Sequence, residues 1–599
     1  MKLDLIAIGR SSVDLYGSQI GGRLEDMGSF EKYIGGSPTN IATGCARLGL
    51  RSGLITRVGD EHMGRFIRQQ LVAEGVDVRG VTTDPERLSA LVLLGIRDNA
   101  RFPLIFYREN CADMALCEDD IDSDFISQAR CVVATGTHLS HPDVAGATLK
   151  AVRLAREHGA RTVLDIDFRP NLWGLSAHGD GENRFVASDE VTARLRSTLD
   201  LFDLIVGTEE EFHISGGTTD TIAALSAVRT RTRAVLVCKR GPMGAVVFDG
   251  AIPSDLTGGI TGEGFDVEVF NVLGAGDGFM AGLLKGWLGG EDWHTSLKYA
   301  NACGALAVSR HGCTPSYPSR RELDYFLKTG IRNRALRNDE ALEAIHWSTN
   351  RKGKWPDLRI FAFDHREQFE EMATNAGVQR GHIARFKQLC LMAALEVADD
   401  RPGYGIICDG RFGRETLFRA TGTGLWIGRP VELPGSRPLE LEPRIGPDCG
   451  GLRDWPRDQT VKVLCQYHPD DDDALKWRQE AELLRVFAAA RRNKLELMLE
   501  VIVSNSGVLG ERTVANVLDR FYDIGIIPDW WKLEPLTSQR QWRQICATVA
   551  KNDPYCRGIV VLGFGATLSQ LRKGLKTAAR NELVRGFAIG RSIFNDVAT

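Results

Sequence analysis

A chain of 599 residues exceeds what one hydrophobic core serves, so two or more domains are expected. Hydrophobic residues make up 43% and charged residues 25% of it, as in soluble globular proteins, and a formal net charge of -4 gives no footprint for nucleic acid or a membrane surface. No run of about 18 apolar residues occurs to span a membrane, and the 13 cysteines form no CxxC pair, which points to reduced thiols in the cytoplasm.

The opening MKLDLIAIGRSSVD has Asp4 within its apolar run and predicts a first strand at Leu3–Gly9 rather than a signal peptide. Asp14 follows just past that strand, where open α/β sheets place ligand groups. In Gly35-Gly36-Ser37-Pro38-Thr39-Asn40 the two glycines permit close backbone approach to a ligand. Asn40, at a helix start, offers a donor and an acceptor for hydroxyl groups. The same segment also suits a plain loop and helix cap. Strand-like runs then alternate with helical patterns: Ser52–Val58, Cys131–Thr135, Thr162–Ile166, Leu204–Val206 and Ala234–Cys238, with helices such as Val144–His158 and Thr221–Thr230 between them. This alternation predicts a mostly parallel sheet covered on both faces. Ala90–Tyr107 holds two β-rich runs around a turn at Asp98-Asn99 and fits a small β lid. Neither GxGxxG after the first strand nor GxxxxGK[ST] is present, which disfavours a dinucleotide fold and a P-loop.

Asp165-Ile166-Asp167-Phe168-Arg169 closes a strand with polar groups two apart, and Arg169 suits a bidentate grip on a carboxylate or phosphate. Glu211, in Gly207-Thr208-Glu209-Glu210-Glu211, is a candidate Mg²⁺ ligand through water, with a charged helix N-terminus as the equal alternative. Lys239-Arg240-Gly241 has the character of a nucleotide-side turn, and small residues around Asn301 leave room for a flat base. In Asn271-Val272-Leu273-Gly274-Ala275-Gly276-Asp277-Gly278, glycines precede an apolar helix, so free N–H groups and the helix dipole make an anion hole for a phosphoryl group in flight. Asp277 at its edge is placed to take a proton from a hydroxyl nucleophile. Alone, the segment also suits a turn capped by Asp.

GGSPTNIATGCARLG and NVLGAGDGFMAGLL, in this order and spacing, resemble the ribokinase-like (PfkB) sugar kinases over residues 1–325. The resemblance implies a doubly wound α/β sheet with a β lid, ATP and Mg²⁺ as cofactors with room for a monovalent cation (K⁺), and a homo-oligomer. It implies Asp277 as base, Gly274, Ala275 and Gly276 as the anion hole, and Asp14, Gly35, Gly36 and Asn40 on the sugar side. Glu211 matches the acid of the family's Asn-x-x-Glu motif, with Thr208 where the Asn usually stands. DIDFRP and GTEEEF resemble the kinases of acidic sugars, those of 5-dehydro-2-deoxygluconate in inositol breakdown first and of 2-keto-3-deoxygluconate second.

Charged residues crowd 326–354, which predicts a linker. Eight further strand candidates follow: Leu358–Phe363, Tyr404–Cys408, Leu425–Ile427, Val461–Cys465, Leu495–Val503, Trp530–Leu533, Gly558–Leu562 and Gly586–Ile589. They predict a (β/α)8 TIM barrel over 355–599, its chemistry at the strand C-termini. Asp364, Lys462, Glu500, Lys532 and Arg591 are candidates there. Two lysines near each other lower each other's pKa and favour imine chemistry, with Glu500 between them to shuttle protons. FAFDHR, VKVLCQYHPD, LELMLEV, WWKLEP, VVLGFGA and GFAIGRSIF resemble the class I tagatose-bisphosphate aldolases. That resemblance implies Lys532 as Schiff-base lysine, Asp364, Lys462 and Glu500 as its charge and proton partners, and Arg591 on a phosphate. Gly563-Phe564-Gly565 stands where that family has Ser-Ala-Gly. A non-catalytic binding or regulatory barrel is the alternative. A metal-dependent aldolase would have to draw on His365, His382 and His468, which lack HxH or HExxH spacing.

Overall fold

The computed structural model describes every residue except Met1, Asn99, His178, Asp180, Lys352, Lys354, Ala566 and Thr599. The expected turn at Asp98-Asn99 and the end of the expected linker therefore lie partly outside the described residues. Two compact units divide the chain, Met1–Asn350 and Arg351–Thr599.

The strands of the first unit are β1 (Leu5–Ile8), β2 (Ser12–Gly17), β3 (Phe30–Gly35), β4 (Ser52–Gly59), β5 (Val81–Asp84), β6 (Ala90–Leu94), β7 (Leu104–Tyr107), β8 (Cys131–Thr135), β9 (Arg161–Asp165), β10 (Leu204–Thr208), β11 (Val235–Lys239), β12 (Ala245–Phe248) and β13 (Ile260–Gly262). Nine form one sheet in the order β13-β12-β11-β10-β9-β8-β1-β4-β5, parallel except where β12 and β13 join. Both faces are covered, so β1 is apolar at every position: Leu5 and Ala7 enter one core layer, Ile6 and Ile8 the other. The chain leaves β1 for β4 on one side and β8 on the other, and the crevice beyond that reversal is where such sheets bind ligands. A second sheet, β3-β2-β6-β7, supplies the expected lid.

Two helices carry the site. Ser37–Arg47 and Ala275–Gly289 approach so closely that a Cβ on Gly44 would stand 2.8 Å from the Cβ of Ala281. That approach brings Asn40 and Asp277 together.

The stretch expected as a linker is largely folded into the first unit. Helices Arg320–Thr329 and Glu340–Asn350 flank a short turn at Leu336–Asn338. Leu323, Phe326, Leu336 and Leu342 enter the main core layer of this unit. Buried Arg310 pairs with Glu322 at 2.8 Å and Glu343 at 2.6 Å, and His346 meets Glu322 at 2.9 Å. Charge density suggested a connector; the charges instead pair with one another around an amphipathic face.

In the second unit β14 (Leu358–Ala362), β15 (Tyr404–Ile407), β16 (Trp426–Pro430), β17 (Gln459–Gln466), β18 (Glu496–Ile502), β19 (Trp530–Leu533), β20 (Gly558–Leu562) and β21 (Val584–Ile589) form a closed parallel barrel, with β14 pairing β21. Alternation sets the contents of the lumen. Val461, Val463, Leu497, Leu499, Trp531 and Leu533 point outward into the helical layer, so Lys462, Glu500 and Lys532 point in, above an apolar floor that includes Met498 and Trp530. Among the described residues no helix is long and apolar enough to cross a membrane.

Candidate active sites

Asp277 lies in the first turn of helix Ala275–Gly289, behind Gly274 in the left-handed conformation at φ 80°. A side chain at Gly274 would also strike Cys313 and the Tyr317 hydroxyl, at 2.7 and 2.8 Å. Ser37 Oγ donates to Asp277 Oδ1 at 2.7 Å and Asn40 Nδ2 to Oδ2 at 2.8 Å. Burial, then the nearby Asp167 carboxylate, pushes the Asp277 pKa up to about 6. Of the expected hole, the Ala275 N–H already bonds the Val272 carbonyl at 3.3 Å. The N–H groups of Gly276 and Asp277, which a helix start leaves unsatisfied, are the donors that remain.

Asp14 sits on β2 and accepts from Ser12 Oγ at 2.9 Å. A Cβ on Gly35 would stand 2.1 Å from its carboxyl group, so glycine makes room for the acid. Burial raises the Asp14 pKa to about 6, and Asp277 adds to the shift. Arg169 Nη1, Asn40 Oδ1 and Arg10 Nε are buried and have no hydrogen-bond partner, a set of polar atoms awaiting a polar ligand.

The pair Asp165 and Asp167 does not act as one face. Asp165 meets Lys239 at 3.0 Å. Asp167 turns away at φ 35°, takes a bond from Thr137 Oγ1 at 3.0 Å and faces Arg10 at 3.4 Å. Arg10, Ser37 and Thr137 were not singled out from the sequence, although Arg10 stands just beyond β1, where a polar ligand group is expected.

The nucleotide-side candidates divide. Lys239 is not a turn lysine open to solvent. It is buried, 3.0 Å from Asp165 and 3.5 Å from Glu211, and its Nζ lies 3.4 Å from where a Cβ on Gly276 would be. Burial opposes its charge, but Asp165 and Glu211 prevail and hold its pKa above the ordinary lysine range. Asn301 spends its amide on the carbonyls of Gly262 and Glu263, at 3.1 and 2.9 Å, so it fixes the end of β13 rather than reaching out for a base. Gly241 is exposed in a turn at φ 57°. Glu211 forms a capping box with Thr208: its Oε2 accepts the Thr208 N–H at 2.7 Å, and its own N–H bonds Thr208 Oγ1 at 3.2 Å. Thr208, in place of the family's Asn, thus has a structural job. None of these bonds uses Glu211 Oε1.

In the barrel, Glu500 bridges the two lysines. Its Oε2 is 2.8 Å from Lys462 Nζ and its Oε1 2.8 Å from Lys532 Nζ. Lys462 also meets Glu432 at 2.9 Å and Asp364 at 3.4 Å. It lies mid-strand on β17, deeper than a strand end. Burial opposes its charge, yet Glu432, Glu500 and Asp364 together raise its pKa. Mutual depression of the two lysines therefore does not describe Lys462: three carboxylates outweigh one neighbouring cation. The Glu500 and Asp364 carboxylates, despite burial, are held below their ordinary range by the lysines. Glu432, just past β16, and Lys387, which contacts Asp409 from helix Gly381–Ala398, were not singled out from the sequence. Arg591 is exposed and lies 3.3 Å from where a Cβ on Gly565 would stand.

The three histidines stay apart. His365 packs against Phe594 with ring centroids 5.3 Å apart, exposed His382 faces the Gln379 carbonyl, and His468 faces the Val508 carbonyl. Among the described residues no three His, Cys, Asp or Glu side chains gather to hold a metal.

The model of the pfkB family carbohydrate kinases matches residues 2–320. A second family, described as an uncharacterized protein conserved in bacteria (DUF2090), matches residues 322–599. The 5-dehydro-2-deoxygluconokinase of Geobacillus kaustophilus (strain HTA426) is 32% identical over 334 residues, which is 54% of this chain and 94% of that protein. Its counterpart from Bacillus subtilis (strain 168) is 28% identical over 332 residues, 54% of this chain and 96% of that one. Among solved structures, a putative ribokinase II of E. coli in complex with ATP and Mg²⁺ is 25% identical, covers 54% of this chain and 99% of its own, and has a TM-score of 0.48.

Proposed function

We propose, from the premise that this chain belongs to the pfkB family of carbohydrate kinases, that its first unit phosphorylates a keto-deoxy sugar acid, 5-dehydro-2-deoxygluconate, at the 6-hydroxyl. The observation that carries the reading is Asp277, clamped by Ser37 and Asn40 at a helix N-terminus while Arg169 keeps an unpartnered donor. The substrate hydroxyl loses its proton to Asp277, its oxygen attacks the γ-phosphorus of ATP, and ADP leaves. The N–H groups at the helix start receive the charge on the transferring group. Arg169 takes the sugar carboxylate, which neutral hexoses lack. The relatives named 5-dehydro-2-deoxygluconokinase support this choice of sugar. The residue placed to hold Mg²⁺ is Glu211, through its uncommitted Oε1, and the ion would neutralise phosphate charge. Turnover of the acid against the matching neutral sugar tests the reading; equal kcat/KM for both would refute it.

The second unit we assign to the next step, cleavage of the phosphorylated keto acid. The supporting observation is the bridge from Lys532 through Glu500 to Lys462. Glu500 takes a proton from Lys532, freeing its amine to attack the C5 carbonyl and form an iminium with loss of water. The C3 hydroxyl gives its proton to a carboxylate, the C3–C4 bond breaks, and its electron pair moves into the enamine. Malonate semialdehyde leaves. Protonation at C4 and hydrolysis release dihydroxyacetone phosphate. Lys462, held charged, supports the carboxylates rather than acting as the nucleophile. Borohydride trapping with dihydroxyacetone phosphate tests this: reduction should fix the adduct on Lys532.

A further inference from the structure

A cavity of about 340 Å³ opens on the outer side of the barrel, between β16, helix Arg414–Ala420 and the long excursion from β16 to β17. Five arginines line it: Arg366, Arg411, Arg414, Arg429 and Arg444. The acids that share it are mostly engaged. Asp409 contacts Lys387 and accepts the N–H groups of Arg411 and Phe412 at 2.8 and 2.7 Å. Glu442 pairs with Arg366 at 3.0 Å, and Asp454 stands in solvent at the rim.

The arginines are not engaged to the same degree. Arg414, Arg429 and Arg444 make no ion pair with any described residue. Arg429 points out of the barrel wall, its guanidinium carbon 3.9 Å from the centre of the Trp455 ring. Gln459 accepts from its Nη1 at 3.1 Å. Stacking and one neutral acceptor fix its plane without cancelling its charge. Its Nε, and that of Arg366, are buried with no partner, and Arg366 is only 4% exposed. A buried donor without a protein partner is a position that a ligand oxygen can complete. Burial of Arg429 lowers its pKa to about 10, as expected of a cation without a counter-ion.

We infer that this cavity is a binding site for a phosphate monoester of a small molecule, built on Arg414, Arg429 and Arg444 and lacking the two lysines of the lumen; Arg366, paired with Glu432 at 3.0 Å, is the residue it shares with the carboxylate network around Lys462. The guanidinium groups come from separate elements: the segments after β14 and β15, helix Arg414–Ala420, β16 and the excursion after it. A tetrahedral dianion offers acceptors in all those directions, whereas a carboxylate presents two oxygens in one plane. The volume suits a phosphorylated sugar. The inference does not depend on the imine chemistry of the lumen.

The test is calorimetric titration of the full-length protein with inorganic phosphate, glucose 6-phosphate and gluconate. Arg414→Gln/Arg444→Gln removes two exposed charges and should leave sugar-kinase turnover unchanged, which checks the fold. We expect one class of phosphate sites to weaken at least tenfold in that variant and to survive in Asp277→Asn and Arg591→Gln, which address the other anion sites. Glucose 6-phosphate should compete for it and gluconate should not. Parental phosphate binding in the rim variant would overturn the inference, as would loss of the same class in Arg591→Gln, no binding at millimolar phosphate, or equal affinity for gluconate.

Discussion

Asn40 of helix Ser37–Arg47 donates its Nδ2 to Oδ2 of Asp277, a residue 237 positions further along the chain, at 2.8 Å. The bond holds the carboxylate at the one point where a helix start and the mouth of the sheet meet. Its partner Ser37 fixes the other oxygen. Asp277→Asn should therefore lower kcat by about 10²–10⁴, the range for a positioned base, with the protein still folded by circular dichroism. The pH profile should show it too. Asp277 must be ionised to accept the proton, and its pKa stands raised at about 6. kcat/KM should be full above that value and fall as pH drops through it. Asp14, raised likewise, titrates with it, so the limb reports the pair. The sign for stability is opposite. The folded state binds these protons more tightly than the unfolded chain, so stability should rise as pH falls from about 6 toward 3.8. A profile flat across pH 5–7 would remove Asp277 as the base.

Arg169 combines partial exposure with a buried Nη1 that has no protein partner. If that donor takes the substrate carboxylate, Arg169→Gln should raise KM for the acid by about 10–100-fold, from about 1.5–3 kcal/mol for a charged hydrogen bond. KM for a neutral sugar should hardly move. Arg169→Lys should recover only part of the loss, because one ammonium cannot reproduce the fork. Steady-state kinetics with both sugars decides it; parallel losses would assign Arg169 a structural role.

Legibility of the sequence tracked the continuity of apolar runs. Cys131–Thr135, Trp530–Leu533 and Gly558–Leu562 are strands with the bounds expected, because each is an unbroken apolar or inward-facing run between turns. β16 shows the opposite. It runs on to Pro430, but Gly428 and Arg429 interrupt the pattern, so the strand seemed to end at Ile427. The acid just past its true end, Glu432, escaped notice, and with it the third carboxylate on Lys462. Asp277 stood out through the two family-like motifs together, since its own segment also suits a turn capped by Asp. Ser37 carries no signal of its own in the sequence, since its partner lies 240 positions away. Asn301 and Glu211 have local roles that the sequence did not show. Their side chains suit ligands, but the structure gives Asn301 two backbone carbonyls and Glu211 a capping box, and local bonds of that kind leave no periodic trace. The charge-rich helices after Ser319 misled for a related reason: Glu322 and Glu343 are spent on buried Arg310, and His346 on Glu322.

Glu322 provides a test of that interior network. It is fully buried. Burial opposes its charge, but Arg310 and His346 prevail and lower its pKa. Such a group contributes stability above its unfolded value of 4.5 and loses it as pH falls below that. Glu322→Gln leaves Arg310 with Glu343 alone as counter-ion and a neutral amide in place of its buried one, and should destabilise the first unit by about 1–3 kcal/mol. Half-exposed Arg320, paired with Asp324 at the surface, should cost under about 1 kcal/mol as Arg320→Gln. Denaturant unfolding, followed by loss of kinase activity, separates the two. Equal stability of Glu322→Gln and the parent would mean that residues 320–350 are not part of the cooperative fold.

Lys532 and Lys462 share Glu500 but differ in how many carboxylates surround them. Three acids face Lys462 and hold it protonated, whereas Glu500 is the acid paired with Lys532. An amine must be neutral to attack a carbonyl, so in the proposed cleavage the nucleophile is assigned to the less crowded lysine. Lys532→Met should abolish the borohydride-reduced adduct with dihydroxyacetone phosphate, read by peptide mass, while sugar phosphorylation continues. Lys462→Met should behave differently. It removes the cation that holds Glu500 and Asp364 ionised, so cleavage should slow by about 10²-fold or more, yet a reduced adduct on Lys532 should still form. Glu500→Gln removes the group proposed to take the proton from Lys532 and should slow adduct formation itself. An adduct on Lys462 in the parent would reverse the assignment. The absence of any adduct, with the kinase active, would leave the lysine–carboxylate bridge as a binding feature of the barrel.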